Sequence, residues 1–151
     1  MWSLTGDDLS FTPIRILGFV LLASGTYIRI ACYRHLSRSF TFELSLQNDH
    51  KLVTNGPYAW VRHPAYTGGA LFQIGGLLWL LASGSWWSER GAGESLLWLA
   101  LGFFFTLWSM LFGAGIFSRS RVEDDVLKEH FKEEWVRWAK QTPYRLIPFV
   151  Y

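Results

Sequence analysis

Two groups of residues have types that could do chemistry: Arg62-His63-Pro64, and later Arg119 with Glu123-Asp124. Cations and carboxylates meeting at one membrane surface mark a candidate site. His50, Tyr58 and Tyr66 flank the first group, and Arg121 and Asp125 flank the second. Other chemistries find no support. The spacing does not match a metal site: there is no His-x-x-x-His and no Cys pair, and His50 and His63 lie far apart. No Gly-x-Ser-x-Gly marks a serine nucleophile. The single Cys32 excludes an internal disulfide. It reads as a small buried apolar residue, with reversible acylation near a membrane boundary as the alternative.

Each of these residues also has a plainer reading. Arg62 and His63 can sit among lipid headgroups, and Arg119 can simply mark the end of a span. Ser120 to Glu123 has the form of a capping box. Asp124 and Asp125 suit a helix N-terminus through the macrodipole.

A membrane is what would bring the two groups together. The 151 residues are one domain by length, 1–151, and half are hydrophobic, with 9 Trp, 6 Tyr and 12 Phe. Charged residues make up only 17% and are unevenly placed: residues 64–88 and 95–118 contain no Asp, Glu, Lys or Arg. Each stretch exceeds the roughly 20 apolar residues that cross a bilayer. A net charge of +2 says little about nucleic acid, but the lack of a basic run with interleaved aromatics sets that partner class aside.

The pattern predicts an all-α membrane protein. It has about three transmembrane helices, at about 14–33, 65–87 and 95–118, and a C-terminal amphipathic cytosolic helix at about 121–140. Pro13 and Pro64 suit first turns of helices. Asn55-Gly56-Pro57 signals a turn, and His63 before Pro64 should be extended. Gly68, Gly69, Gly75 and Gly76 predict close helix packing. Leu127, Phe131, Trp135 and Trp138 form a helical apolar stripe. Asp7 and Asp8 with no nearby cation do not resemble a signal peptide, so the first apolar segment should stay as an anchor.

Orientation follows from Lys and Arg near the spans. Arg34, Arg38, Lys51 and Arg62 lie between spans one and two, and seven more cations follow span three, from Arg119 to Arg145. Arg15 and Arg90 alone belong to the other side. Both candidate groups therefore share the cytosolic face.

Leu52-Val53-Thr54-Asn55-Gly56-Pro57-Tyr58, followed by Arg62-His63-Pro64-Ala65-Tyr66-Thr67-Gly68, resembles the signature of the isoprenylcysteine carboxyl methyltransferases. That superfamily pairs an Arg-His-Pro motif with a later acidic pair, here Glu123-Asp124. The resemblance runs over about residues 40–149. It implies an enzyme of the endoplasmic reticulum membrane, its active site facing the cytosol. Such an enzyme methylates the C-terminal prenylcysteine of CaaX-processed proteins with S-adenosyl-L-methionine. Carried over by motif position, the cofactor would meet His50, Lys51, Leu52, Val53, Tyr58, His63, Pro64, Ala65, Tyr66 and Glu123. Arg119 would bind substrate, and Arg119, Glu123 and His63 would form the catalytic group. Glu43 stands where the family has glutamine, Asp124 where a second Glu is usual, and Lys132 where Gly is common.

The implied chemistry suits these residue types. A C-terminal carboxylate, with pKa near ~3.5, is already ionised at neutral pH and needs no general base. Positioning is then the main task. A prenyl chain adds about 0.8 kcal/mol per buried CH₂. Two other readings are a same-superfamily methyltransferase acting on a phospholipid amine or small molecule, and a catalytically silent membrane scaffold. The first would need a base for its nucleophile, and the second would bind no cofactor.

Overall fold

Prolines set where two of the helices begin. In the computed structural model, which describes residues 12–36, 52–83, 85 and 96–150, Pro13 opens α1 (Pro13–Leu36) and Pro64 opens α2 (Pro64–Leu81). The missing N–H of proline costs nothing in a first turn. A short 3₁₀ turn, Gly56–Ala59, precedes α2 at the expected turn signal. Two more helices follow, α3 (Leu96–Phe131) and α4 (Glu133–Gln141). The described residues are helix and irregular chain, with no strand. Of the four helices, α1 and α3 are long and apolar enough to cross a membrane.

The C-terminal helix expected at about 121–140 is not one element. The helix of the third apolar segment runs on, unbroken, through Arg119 to Phe131. The change at Arg119 is a change of surroundings, from apolar to charged, and it asks nothing of the backbone. Ser120 accordingly caps nothing: it is buried mid-helix and its Oγ donates to the Phe117 carbonyl at 2.9 Å. The break falls at Lys132, with φ 47° and ψ −114°. That is backbone glycine adopts far more readily than lysine, at the position where the resemblance leads one to expect glycine. The apolar stripe is split by this break, with Leu127 and Phe131 on α3 and Trp135 and Trp138 on α4. The second apolar helix also ends earlier than expected, at Leu81. Trp86, Trp87 and the loop at 88–94 lie outside the described residues.

Small residues set the contact between α1 and α2. Gly18 crosses Gly75 and Gly25 crosses Gly68, two turns apart on each helix. A Cβ on Gly25 would lie 2.5 Å from the Gly68 carbonyl oxygen, and one on Gly75 would lie 2.6 Å from that of Gly18. No side chain fits at either crossing, so the backbones touch. Where these helices meet the 3₁₀ turn, Cys32, Tyr58 and Trp138 form a buried core with Leu52, Val53, Ala65 and Trp135 packed around it. Trp138 Nε1 donates to the Tyr58 carbonyl at 3.3 Å. The apolar part of α3 is mostly exposed, with Phe103 at 72% and Met110 at 68%. It meets α2 through Gln73 Nε2, which donates to Ser109 Oγ at 2.6 Å.

Candidate active site

The site lies where the start of α2 meets the charged end of α3. His63 caps α2 with φ −124° and ψ 63°, non-helical as the following proline demands. Its backbone N–H and that of Arg62 donate to the carbonyls of Arg145 and Tyr144, both at 2.9 Å. Thr67 Oγ1 donates to the Leu146 carbonyl at 2.6 Å. The C-terminal tail is thus laced along the Arg62-His63 corner and holds it in place.

Opposite that corner, α3 presents adjacent carboxylates. Asp124 is 2% exposed and accepts from three cationic side chains. His63 Nε2 lies 2.9 Å from its Oδ1, Arg145 Nε donates to Oδ2 at 2.7 Å, and Arg62 Nη2 donates to Oδ2 at 3.2 Å. Arg62 Nη1 also donates to the carbonyls of Thr142 and Pro143, at 2.9 and 2.7 Å. Glu123 is half-buried, with its Oε2 3.5 Å from His63 Nδ1. Tyr66 lies beside both Glu123 and Arg119 and shares their electrostatics. Arg119 and Glu123 are four residues apart on α3, so they share one helix face.

The electrostatics follow from this layout. Burial works against the charged form of His63, but the hydrogen bonds and charges of Asp124 and Glu123 outweigh it and raise its pKa. Burial likewise pushes both carboxylates up. For Glu123, His63, Tyr66 and Arg119 more than reverse this, and for Asp124, His63 and Arg62 do so; both end below their ordinary values. His63 stands between two carboxylates with both ring nitrogens engaged, an arrangement that favours its protonated form.

Of the residues singled out in the sequence, His63, Tyr66, Arg119 and Glu123 converge on this mouth. Pro64 is buried behind them as the first residue of α2. Leu52, Val53, Tyr58 and Ala65 gather instead around the Cys32–Trp138 core. His50, Lys51 and Glu43 lie outside the described residues. Asp124 is not the helix-terminus residue its sequence position suggested; it sits within α3 and joins three cations. Arg62 and Arg145 were missed as partners of one carboxylate. Adjacent acids on a helix point about 100° apart, so Glu123 and Asp124 had to face different neighbours, and that was the available signal.

A model of the isoprenylcysteine carboxyl methyltransferase family matches residues 16–86. The chain resembles that family. The protein-S-isoprenylcysteine O-methyltransferase of Saccharomyces cerevisiae is 31% identical over 89% of this chain and 49% of its own length. The Homo sapiens protein of the same name is 28% identical, over 92% of this chain and 43% of its own. Protein-S-isoprenylcysteine O-methyltransferase B of Arabidopsis thaliana is 27% identical, over 88% and 58%. The chain spans about half the length of these curated relatives. No solved structure matches it. Both Arg62-His63-Pro64 and Tyr66 fall within the residues matched by the family model, while Arg119, Glu123 and Asp124 fall beyond them.

Proposed function

We propose that this chain methylates the C-terminal carboxylate of prenylcysteine on CaaX-processed proteins, using S-adenosyl-L-methionine. The observation that carries this is the convergence of His63, Tyr66, Arg119 and Glu123 at the joint between α2 and α3. The donor set fits the cofactor: Glu123 is ionised, half-exposed and able to take an ammonium group. When bound, that cofactor supplies a sulfonium methyl, which moves to the carboxylate oxygen and leaves a neutral thioether behind. Arg119, exposed beside Tyr66, takes the acceptor carboxylate with its fork. His63 acts as a positioning residue, since its ring holds Glu123 on one side and Asp124 on the other. No proton moves, so no residue has to serve as a base. By motif position Leu52, Val53, Tyr58, Pro64 and Ala65, with His50 and Lys51, complete the proposed cofactor contacts.

The chain forms one integral-membrane unit in the endoplasmic reticulum membrane, with three spans and its site facing the cytosol. The third span is α2. Its 18 residues are about 27 Å long, close to the hydrocarbon thickness of roughly 30 Å. Prenylated protein C-termini reach the site from the cytosol while the prenyl chain lies in the bilayer.

The test is a membrane assay with labelled S-adenosyl-L-methionine and a farnesylcysteine analogue. A base-labile methyl ester should form with the wild type, and Arg119→Ala should remove it. Absence of the ester from wild-type membranes, or equal rates for wild type and His63→Ala, overturns the proposal.

A further inference from the structure

Arg29 lies in the apolar α1, two turns before its end, and takes no part in the site described above. Cations in membrane helices are costly and mark functional positions unless their charge is met. Among the described residues it is met only by neutral groups. Arg29 Nη1 donates to the Ala65 carbonyl at 3.4 Å, Nη2 donates to the Tyr33 hydroxyl, and the guanidinium stands 5.4 Å from the Tyr33 ring. Among the described residues no carboxylate lies within ion-pair distance of it. Three N–H donors of its five thus have no partner among the described residues.

Glycine lets this cation reach α2. A Cβ on Gly69 would lie 3.2 Å from Arg29 Nη1 and 3.8 Å from Phe112 Cζ, so any side chain there would crowd the guanidinium. Arg29 thus stands about one helical turn from Tyr66, the residue beside Arg119. The guanidinium groups of Arg29 and Arg119 flank the first two turns of α2, with apolar surface below.

We propose that Arg29 is a second anion-binding residue of this site. With Arg119 it holds the acceptor's carboxylate, and it selects acidic acceptors over neutral and amine ones. The inference rests on the carboxyl-methylation reading and deepens it. A second cation strengthens the hold on a carboxylate and repels an ammonium, so specificity comes from repulsion as well as attraction. Tyr33 fixes the guanidinium plane, and Gly69 leaves room for the guanidinium beside α2.

Equilibrium binding tests this apart from turnover. The full chain is held in an uncharged maltoside detergent, which offers no phosphate. Binding of N-acetyl-S-farnesylcysteine and of its neutral amide is followed by tryptophan fluorescence. The wild type should prefer the carboxylate by about tenfold or more, the range expected for hydrogen bonds to charged groups. Arg29→Gln should lose most of that preference while S-adenosyl-L-methionine binding stays within about twofold, and Arg29→Lys should recover part of it. An unchanged preference in Arg29→Gln overturns the inference. So does loss of cofactor binding together with acceptor binding, which would mark a packing role. If the preference is present and depends on Arg29 but the wild type makes no ester, the anion site stands and the methylation reading falls.

Discussion

Asp124 takes three cationic partners and is almost wholly buried, so its charge matters to folding as well as to the site. Removing one member of a buried ionic cluster costs about 3 kcal/mol, because the partners are left uncompensated. Asp124→Asn keeps the shape and removes the charge. The pH dependence has a definite sign. The lowered pKa of Asp124 contributes stability above its ordinary value near ~4, and this is lost as pH falls through the folded value. The raised pKa of His63 contributes stability below its ordinary value near ~6.5, and this is lost as pH rises through the folded value. The gap in melting temperature between wild type and Asp124→Asn should therefore be widest between about pH 4 and 6.5. It should narrow on either side, and less on the alkaline side, where Arg62 and Arg145 stay charged. A gap that narrows only on the acid side would mean that His63 is neutral across this range. At this scale the sequence was informative about types and poor about partners. His63, Glu123 and Arg119 were legible through their motif positions. The Asp124–Arg145 pair was not, because it depends on where the tail after Pro143 returns, and no local pattern in Tyr144-Arg145-Leu146 encodes that path.

Among the elements, the α1–α2 pair is fixed by backbone contact, and its glycines divide into those that make it and those that do not. At Gly25 an added methyl would meet backbone atoms of Gly68 and Phe72 at 2.5 and 2.6 Å, and backbone cannot swing aside as a side-chain tip can. At Gly115 nothing lies within 4 Å. Gly25→Ala should therefore destabilise by about 1–3 kcal/mol through overpacking. Gly115→Ala should be neutral or stabilising by up to about 1 kcal/mol through helix propensity. Thermal melting in detergent separates the two, and equal effects would mean that the helices do not touch at Gly25. The sequence carried this packing in outline, since the glycines of α2 predicted close approach. Their partners on α1 were invisible until the register of the two helices was known. The end of α3 was misread for a related reason: the charge pattern changes at Arg119, but the backbone changes at Lys132, where φ is 47°. Charge marks what surrounds a helix, not where it stops.

In the molecule as a whole, the two halves of the chain are tied most densely at one end. There the tail joins the Arg62-His63 corner, and Asp124 joins α3 to both. Farther along α2 the joint to α3 rests on Gln73 with Ser109, beside Gly69 with Phe112. Beyond that the apolar surface of α3 is open, as suits a helix whose neighbours are lipid rather than protein. Such a molecule holds its chemistry at one membrane face only if α2 also crosses. An α2 lying on the surface would have to leave α1, and the Gly18–Gly75 and Gly25–Gly68 crossings run along most of its length. In the proposed three-span arrangement α1 carries α2 across beside it. The chain before α2 and the loop after it should then lie on opposite sides. In a Cys32→Ser background, single cysteines at Asn55→Cys and Ala92→Cys can be probed in sealed vesicles with a membrane-impermeant maleimide. Vesicles with the cytosolic face outward should label the first and spare the second, and vesicles with that face inward should do the reverse. Labelling of both from one side would leave α2 outside the bilayer, and would overturn the three-span reading.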